Sequence, residues 1–332
     1  MQPIKNRTTL FHTLLAGIYW VITSLRNWCY DIGILKSTVF DIPIISVGNL
    51  AVGGSGKTPM VEYLLDNLQD TYTIATLSRG YGRKTKGFRW VEANQSYTET
   101  GDEPLQIKSK YKHISVAVCE SRVIGVQQIL AEKPKTNLII LDDAFQHRAI
   151  GPSTQLLLST YEEPYYKDYL LPAGRLREKR KGAERADATI YTKCPPNFKP
   201  LTYGKEPIFH SFISYQNPEI KGPIYGFSGL AKNHLFAKHL ADSFEVQGFE
   251  GYKDHYSFTQ KDLDSLIQKA KGATLVCTEK DWIKVKGLSG SEKIKFVSIK
   301  NTIQGEIDFM EWLKSHMHLE WAFNTIGSSN SK

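Results

Sequence analysis

A run of glycines followed by lysine and threonine is the part of this sequence with the clearest chemistry. Glycines let backbone N–H groups point inward at phosphate oxygens, and a helix that starts at the loop adds the positive end of its dipole. Lys57 is placed to reach the β- and γ-phosphates of a nucleotide, and the Thr58 hydroxyl is a magnesium ligand of the expected type. The residues predicted to bind nucleotide are Ala51, Val52, Gly53, Gly54, Ser55, Gly56, Lys57 and Thr58.

The flanks of this loop support the same interpretation. Residues 42–47 form an apolar run typical of a buried strand, and residues 60–68 have apolar residues at helical spacing. Strand, glycine loop and helix is the context that a phosphate-binding loop requires. Ala51 stands where the usual pattern has its first glycine. The alternative is a glycine-rich turn with a chance Lys-Thr pair, which the flanking elements disfavour.

Two adjacent carboxylates follow the most apolar predicted strand, residues 137–141. Asp142 and Asp143 at the tip of such a strand form the Walker B arrangement, in which one carboxylate holds magnesium directly or through water. Neighbouring residues on a strand point to opposite faces, so the two aspartates are expected to have different roles. Surface charge at a strand end is the alternative.

Several basic residues follow other predicted strands and turns. Arg79 lies at the end of a predicted strand, on the sheet edge where open α/β folds bind ligands. Arg122 follows another strand, and Arg175 and Arg177 begin a cationic patch that continues to residue 185. Such a patch fits nucleic acid, lipid phosphate, an anionic membrane or a merely solvated face. The lack of nucleic-acid motifs and interleaved aromatics disfavours the first of these.

Two further residues have ambiguous roles. Asp102 precedes a predicted helix at residues 105–110, so it fits either an N-cap or a catalytic carboxylate held at a helix start. Spacing alone favours the cap. His255 lies in a loop next to Asp254, where an Asp-His pair is ordinarily structural or solvated.

Composition bounds the possible classes of protein. The chain has 332 residues, 41% of them hydrophobic, and a formal net charge of +8, which favours an acidic partner such as a nucleotide, a nucleic acid or an anionic membrane. The four cysteines are scattered without a Cys-x-x-Cys pair. This indicates a reducing compartment and argues against a structural zinc site.

The first predicted helix, residues 10–25, is strongly apolar and aromatic. Its 16 residues are short for a bilayer span, which needs about 20. Tyr19, Trp20 and Trp28 suit a membrane–water interface, so we expect a helix that lies in or on a bilayer surface. A buried core helix is the alternative.

The order of elements predicts an α/β fold: a P-loop NTPase-like parallel sheet with helices on both faces, plus a second, smaller α/β domain. A proline-rich stretch at residues 193–207 marks the expected boundary between them. The expected parts are a membrane-associating helix, a P-loop domain, a smaller C-terminal α/β domain, and a terminal helix with a frayed tail, at residues 1–30, 31–205, 206–303 and 304–332.

Taken together, these segments resemble the tetraacyldisaccharide 4′-kinases of lipid A biosynthesis. That family's phosphate loop also lacks the first glycine, so Ala51 is no objection. The matching motifs occur in the family's order and cover most of the chain; they are residues 47–49, 53–59, 78–82, 101–104, 141–147, 174–178, 254–255 and 278–281.

The resemblance implies a reaction and roles for individual residues. A member of this family moves the γ-phosphoryl group of ATP, with Mg²⁺, to the 4′-hydroxyl of a tetraacyldisaccharide 1-phosphate, giving lipid IVA. The resemblance pairs Asp102 with His255, one from each expected domain, and makes Asp102 the acceptor of the hydroxyl proton. The implied catalytic residues are Lys57, Asp102, Asp142, Asp143 and His255; the metal ligands are Thr58, Asp142 and Asp143; the substrate-binding residues are Asn49, Arg79, Tyr81, Arg122, Arg175 and Arg177.

The resemblance also implies a setting. It predicts a monomer, peripheral or monotopic, on the cytoplasmic face of the inner membrane of a Gram-negative bacterium, with a lipid disaccharide and the membrane surface as partners and no nucleic acid. The competing class is a P-loop ATPase or GTPase acting as a switch or metallochaperone, without a lipid acceptor. That class explains the loop and the two aspartates but not the amphiphilic first helix or the cationic patch.

Overall fold

The structure is a computed structural model that describes residues 10–329. Residues 1–9 and 330–332, which include the basic flank of the first helix and the end of the expected frayed tail, lie outside the described residues. Strands account for much of the chain: β1 (Ile44–Asn49), β2 (Ile74–Ser78), β3 (Arg89–Trp90), β4 (Ser115–Val118), β5 (Leu138–Asp142), β6 (Thr154–Thr160), β7 (Ala188–Thr192), β8 (Ile208–Gln216), β9 (Ile224–Ser228), β10 (Val246–Gly251), β11 (Thr274–Thr278) and β12 (Lys295–Ile303).

Helices connect most of these strands. They are α1 (Leu10–Asp31), α2 (Lys57–Leu68), α3 (Tyr97–Thr100), α4 (Asp102–Lys110), α5 (Arg122–Glu132), α6 (Asn233–Ser243), α7 (Gln260–Ala270), α8 (Glu279–Val285) and α9 (Glu306–Ser329), with short 3₁₀ turns at Tyr165–Lys167, Arg180–Arg185 and Ser291–Lys293.

The chain divides into two compact units, neither of which is continuous in sequence. Unit 1 comprises residues 1–79, 119–213 and 301–332, and unit 2 comprises residues 80–118 and 214–300. Residues 80–118, which the sequence assigns to the P-loop domain at residues 31–205, therefore group with residues 214–300.

Unit 1 is built on a parallel sheet in the order β8-β7-β6-β1-β5-β2. β1 lies between β6 and β5 and is buried along its whole length. In the β1–β5 register Val47 lies opposite Asp142, so the end of β1 and the end of β5 reach the same edge. The carboxyl edge of a parallel sheet is where α/β proteins bind ligands, and here it carries both the phosphate loop and the aspartate pair.

Unit 2 contains a parallel sheet in the order β10-β9-β11-β12 and an antiparallel pair, β3 with β4. Its core includes Phe227, Phe258, Leu263 and Leu266, which pack helix α7 against the sheet. Thr259 caps α7 in a capping box with Asp262, as the sequence predicts for this helix start.

The predicted α/β class with a mainly parallel sheet is confirmed, and the differences have local causes. The sequence missed β8, because prolines precede it and its last residues are exposed. It also missed α5. The expected frayed tail from residue 322 is helical as far as Ser329, since residues 322–326 contain no proline or glycine to end the helix.

Candidate functional site

The phosphate loop owes its shape to glycines at left-handed backbone angles. Gly53 has φ of 115° and Gly56 has φ of 83°, conformations that residues with a Cβ rarely adopt. Gly56 occupies the N-cap position of α2, so Lys57 and Thr58 form its first turn. The first N–H groups of a helix have no partner within the helix, and their positive dipole end therefore faces the space in front of the loop.

A second segment braces the start of this loop. The backbone N–H of Val52 donates to the carbonyl of Arg175 at 2.8 Å, and that of Arg177 donates to the carbonyl of Leu50 at 2.7 Å. Ala51 forms an antiparallel bridge with Leu176 between these two bonds. The first part of the predicted cationic patch thus acts as a backbone partner of the phosphate loop.

Lys57 is held within the loop by two oxygen groups. Its Nζ lies 3.4 Å from Oδ1 of Asn49 and 3.6 Å from Oδ1 of Asp143, and its side chain is 12% exposed. Asn49 is buried at the end of β1 and also donates to the carbonyl of Ala51. An ammonium group this close to two oxygens is already positioned for a third, such as a phosphate oxygen.

Asp143 sits where three positively charged side chains converge. It follows β5 with φ of 49°, which turns its carboxylate toward Arg177, at 2.8 and 3.0 Å, as well as toward Lys57. Burial alone would raise the pKa of Asp143, but Lys57, Arg177 and Arg122 outweigh it and lower the pKa. The carboxylate is therefore ionised throughout the neutral range.

Asp142 is the last residue of β5 and is almost completely buried. It differs from Asp143 in exposure and partners, as expected for adjacent residues on a strand. Thr58 lies in the first turn of α2, partly buried. Among residues 10–329, no three His, Cys, Asp or Glu side chains converge into a metal cluster.

Arg122 has partners of a different kind from those predicted. Its side chain is 2% exposed and donates to four backbone carbonyls, those of Cys119, Glu120, Asp142 and Asp143. Burial lowers its pKa to about 10 although both aspartates oppose this. Arg122 therefore holds the turn after β5 in place, and a direct contact with substrate phosphate does not fit this geometry.

Arg175 is likewise engaged. Its guanidinium pairs with Glu163 and, at 2.6 Å, with Asp168. Burial opposes the charge, but these two carboxylates raise the pKa of Arg175. Arg79, at the end of β2, is exposed and stands in unit 1, whereas Tyr81 belongs to unit 2.

Sequence reasoning missed four residues around the loop. Gln146 donates to the carbonyl of Asn49 at 2.8 Å and to Glu178, which is 3% exposed and also accepts from Arg185. Gln146 and Glu178 stand inside matched motifs, but no spacing rule assigns them a contact.

The other two missed residues follow one another at the end of β7. Thr192 donates through Oγ1 to the carbonyl of Ser55 at 2.8 Å, and Lys193 donates through Nζ to the carbonyl of Gly54 at 2.6 Å. The signal in the sequence that could have indicated these contacts is a polar pair at the end of a predicted parallel strand.

In unit 2, Asp102 is the first residue of α4 but does not cap it. Gly101, with φ of 96°, occupies the N-cap position, so the N-cap interpretation is wrong. One carboxylate oxygen, Oδ1, accepts from the N–H of Glu103 at 3.0 Å. The other, Oδ2, lies 3.3 Å from Nδ1 of His255. Both members of this pair belong to unit 2.

Two lysines complete the surroundings of Asp102. Nζ of Lys280 lies 3.6 Å and Nζ of Lys284 lies 4.0 Å from Oδ2 of Asp102. Burial of this 7%-exposed side chain would raise its pKa, but the hydrogen bond to His255 and the two ammonium groups lower it to about 2. Lys280 comes from the 278–281 motif, and Lys284 lies just beyond it.

His255 is positioned by its loop. It has φ of 56°, its side chain is 38% exposed, and its ring lies 5.3 Å from the exposed ring of Tyr81. A partly exposed imidazole that contacts a buried carboxylate can orient that carboxylate and exchange protons with a bound molecule.

Helix α1 exposes a large apolar surface. Leu14, Ile18, Val21, Ile22 and Leu25 are each more than half exposed. Across residues 10–329, no helix combines the length and apolar composition needed to cross a bilayer. The opposite side of α1 is fixed by polar contacts, including that of the Tyr19 hydroxyl with the carbonyl of Arg177 at 2.7 Å. An apolar strip this long marks an interaction surface.

Comparison with known proteins gives a consistent result. A family model described as tetraacyldisaccharide-1-P 4′-kinase matches residues 8–318. The tetraacyldisaccharide 4′-kinase of Flavobacterium johnsoniae is 37% identical over 91% of this chain and 96% of its own length. That of Cytophaga hutchinsonii is 40% identical over 81% of this chain and 83% of its own. A crystal structure of LpxK from Aquifex aeolicus in complex with ATP has a TM-score of 0.77 and 34% identity, covering 93% of this chain and 98% of that one.

Proposed function

Because this chain belongs to the tetraacyldisaccharide-1-P 4′-kinase family, we propose roles for its residues in that reaction. The chain is an ATP-dependent kinase of lipid A biosynthesis, which transfers the γ-phosphoryl group of ATP to the 4′-hydroxyl of a tetraacyldisaccharide 1-phosphate. The observation that carries the assignment is the loop in unit 1, where Lys57, Asn49 and Asp143 surround the positive end of α2.

We assign residues 51–58 to the triphosphate of ATP. The loop N–H groups and Lys57 bind the β- and γ-phosphates. When phosphate binds, Lys57 gives up its ion pair with Asp143 and contacts phosphate oxygens instead. Arg177 remains on Asp143, at 2.8 Å, and keeps that carboxylate in place during the exchange. Phosphoryl transfer needs alignment and charge neutralisation more than covalent help, and this loop supplies both.

The residues present also fit a magnesium ion. The hydroxyl of Thr58 and the carboxylates of Asp142 and Asp143 are hard oxygen donors, the type that Mg²⁺ prefers. Asp142 ends β5 beside Val47, at the same sheet edge as the loop. In kinases and ATPases, one or two carboxylates and the substrate phosphates bind Mg²⁺, so such a site does not require a cluster of three carboxylates. When bound, the ion neutralises charge on the β- and γ-phosphates.

We assign the acceptor hydroxyl to Asp102. Its pKa of about 2 makes it a weak base but keeps it fully ionised at neutral pH. A weak base is sufficient here, because in a loose phosphoryl-transfer transition state the bond to the acceptor oxygen is little formed and the hydroxyl loses its proton late. Asp102 orients the hydroxyl and accepts its proton. His255, 3.3 Å away and partly exposed, fixes the carboxylate, takes this proton from it and releases the proton to solvent.

The basic residues receive separate roles. Arg79 and Tyr81, both exposed, and Asn49, which contacts Lys57, bind substrate. Arg177 keeps its Nη1 on Asp143 and contacts phosphate through the other N–H groups of its guanidinium. Arg122 and Arg175 act indirectly, since their guanidinium groups are occupied by carbonyls and carboxylates respectively.

We further propose that α1 lies on the membrane from which the lipid is drawn. Its exposed apolar residues continue into Ile32 and Ile34, and Lys179 lies 4.1 Å from the ring centroid of Trp20, as basic and aromatic residues pair at an interface. We propose that this surface lies on the cytoplasmic face of the inner membrane, where ATP is available. We propose that the protein acts there as a monomer, which analytical ultracentrifugation in detergent tests.

A single assay tests the reaction. Incubation of the protein with ATP, Mg²⁺ and a tetraacyldisaccharide 1-phosphate should give a product heavier by one phosphoryl group. Incubation without the lipid should release little phosphate. ATP consumption that does not depend on the lipid would instead favour a P-loop switch.

Sedimentation with liposomes tests the membrane surface. Ile18→Glu and Ile22→Glu should each reduce binding by about tenfold, since each places a charge in the bilayer interface. Leu235→Glu, at an exposed apolar position on α6, is the matched control and should bind like the wild type. Equal loss in all three variants would contradict the assignment to α1.

A further inference from the structure

We infer that Lys284 is a positioning residue for phosphoryl transfer: it holds the Asp102 carboxylate from its buried side and links it to the buried carboxylate of Asp281. The inference rests on the proposed role of Asp102. It adds a residue that touches neither substrate nor cofactor and lies beyond the 278–281 motif.

Burial distinguishes Lys284 from the other groups around Asp102. Its side chain is 2% exposed, against 21% for Lys280 and 38% for His255. Lysine is almost never buried to this degree unless it is paired. Because it is shielded from solvent, the ammonium group of Lys284 cannot serve as a phosphate ligand, and its charge acts on neighbouring protein groups with little screening.

The charge of Lys284 is shared between two carboxylates. Its Nζ lies 3.2 Å from Oδ1 of Asp281 and 4.0 Å from Oδ2 of Asp102. Asp281 is fully buried, so this pair is a fixed part of unit 2 and not a surface ion pair.

Asp281 is itself held by two donors on its second oxygen. Oδ2 accepts from Oγ1 of Thr278 at 2.7 Å and from the N–H of Gly229 at 2.9 Å. A side chain at Gly229 would place its Cβ 3.1 Å from Oδ1 of Asp281 and would crowd this contact. The chain of contacts thus runs from the end of β9, through α8, to the first residue of α4.

The other charged groups near Asp102 do not replace Lys284. His255 and Lys280 approach the same oxygen from the more exposed side, and Lys280 is shared with Glu103 at 3.3 Å. Asp254 also faces Lys280. Of these three groups, Lys284 is the one anchored by a carboxylate that has no exposure, so its own position is the most rigidly fixed.

Lys284 and its partner can be neutralised together, which avoids leaving a buried charge alone. Asp281→Asn keeps one acceptor oxygen for Thr278 and Gly229 but turns its NH2 group toward Lys284, which keeps its charge and loses its anchor. Its kcat should therefore fall by about threefold. Asp281→Asn/Lys284→Gln removes both charges. Its kcat should fall at least about tenfold below that of Asp281→Asn, because the carboxylate of Asp102 is no longer held. The KM for ATP should change less than twofold.

A double-mutant cycle shows whether the effect passes through Asp102. In an Asp102→Asn background, adding Asp281→Asn/Lys284→Gln should reduce kcat by less than about threefold, because the group that Lys284 positions is already absent. Lys286→Gln is the matched control: this lysine follows α8 but donates to the carbonyl of Ala93 and to Ser109, and its kcat should not change.

The outcomes separate the inference from the proposed function. Full activity of Asp102→Asn would overturn the role of Asp102 itself. Loss of activity in Asp102→Asn with unchanged kcat in Asp281→Asn/Lys284→Gln would overturn only the role of Lys284. So would failure of the doubly neutralised variant to fold while Asp281→Asn folds, measured by urea unfolding, or an equal further loss in both backgrounds.

Discussion

In unit 1, the carboxylate of Asp143 is held by Lys57 and Arg177; in unit 2, that of Asp102 is held by His255, Lys280 and Lys284. Each region pairs an ionised aspartate with two cationic side chains, and Asp102 has His255 as a further partner. They differ in burial, since the Asp143 side chain is 33% exposed and that of Asp102 is 7% exposed.

Because of this difference in burial, a ligand can break the ion pair between Lys57 and Asp143, whereas the ion pairs of Asp102 are permanent. A phosphate group can reach Lys57 and compete with Asp143 in partly aqueous surroundings. Asp102 and Lys284 are shielded from solvent, so separating them would leave a buried charge uncompensated, at a penalty of several kcal/mol. Unit 1 is therefore suited to binding and releasing a charged ligand, and unit 2 to holding one carboxylate in a fixed position.

The largest expected effect comes from removing the ammonium group of Lys57, which we propose binds the phosphates of ATP. Lys57→Met should lower kcat on the order of 10³-fold, because charge on the transferring phosphoryl group is no longer stabilised. The measurement is initial velocity with ATP, Mg²⁺ and lipid acceptor. Lys238→Met, at an exposed lysine of α6, is the control and should keep full activity. Unchanged turnover in Lys57→Met would contradict the interpretation that the ion pair in unit 1 is the one that binds phosphate.

The second prediction concerns the permanent cluster. Asp102→Asn keeps the shape of the side chain and loses its charge, so kcat should fall on the order of 10²-fold. The KM for ATP should stay within twofold, since the phosphate loop belongs to unit 1. Asp264→Asn, at an exposed position on α7, serves as the control. A change confined to the KM for ATP would show that Asp102 acts in binding and not on the acceptor hydroxyl.

The third prediction uses the pH dependence of stability. The folded-state pKa of Asp102, about 2, is below its ordinary value of 3.8, so ionisation stabilises the fold above pH 3.8 and this stabilisation is lost as pH falls toward 2. Between pH 5 and pH 3, the free energy of unfolding of wild type should fall by about 1 kcal/mol more than that of Asp102→Asn. Urea unfolding at both pH values measures it.

Asp143→Asn sharpens this measurement. The pKa of Asp143 is also lowered by its cationic partners, against the effect of burial, so the sign is the same. Its greater exposure lets solvent screen the interaction, and the pH-dependent difference should be smaller than for Asp102. An equal or larger effect at Asp143 would contradict the division between an open and a permanent ion pair.

The two regions also differ in how far the sequence predicts them. The phosphate loop is continuous in sequence, and the aspartate pair follows a strand that ends at the same edge of the sheet. Spacing and flanking elements therefore identify both, and with them the parallel sheet of unit 1. Backbone angles at Gly53 and Gly56 then follow from the need for left-handed conformations.

The Asp102 cluster has no such local pattern. Its members come from α4, the end of β9, the loop at His255 and α8, and the fold alone brings them together. The family resemblance identified Asp102 and His255 as a pair. No sequence periodicity, however, points to the burial of Lys284 or to the carbonyl partners of Arg122. Their roles in the reaction stay predictions, and long-range packing is the reason the sequence alone could not reveal their contacts.

The smallest expected effect tests whether the open region depends on its backbone support. Lys193, with φ of 60°, donates to the carbonyl of Gly54 at 2.6 Å, and this exposed contact helps to fix the loop before ATP arrives. Lys193→Met should raise the KM for ATP by about threefold with unchanged kcat, since a typical hydrogen bond contributes about 1 kcal/mol or less at an exposed site. Lys199→Met is the control. Lys199 is exposed and contacts Tyr161 through its backbone N–H and carbonyl, which the substitution leaves in place. A fall in kcat with unchanged KM would mean that Lys193 acts on the transition state, and the phosphate loop would then share the fixed character assigned to the Asp102 cluster.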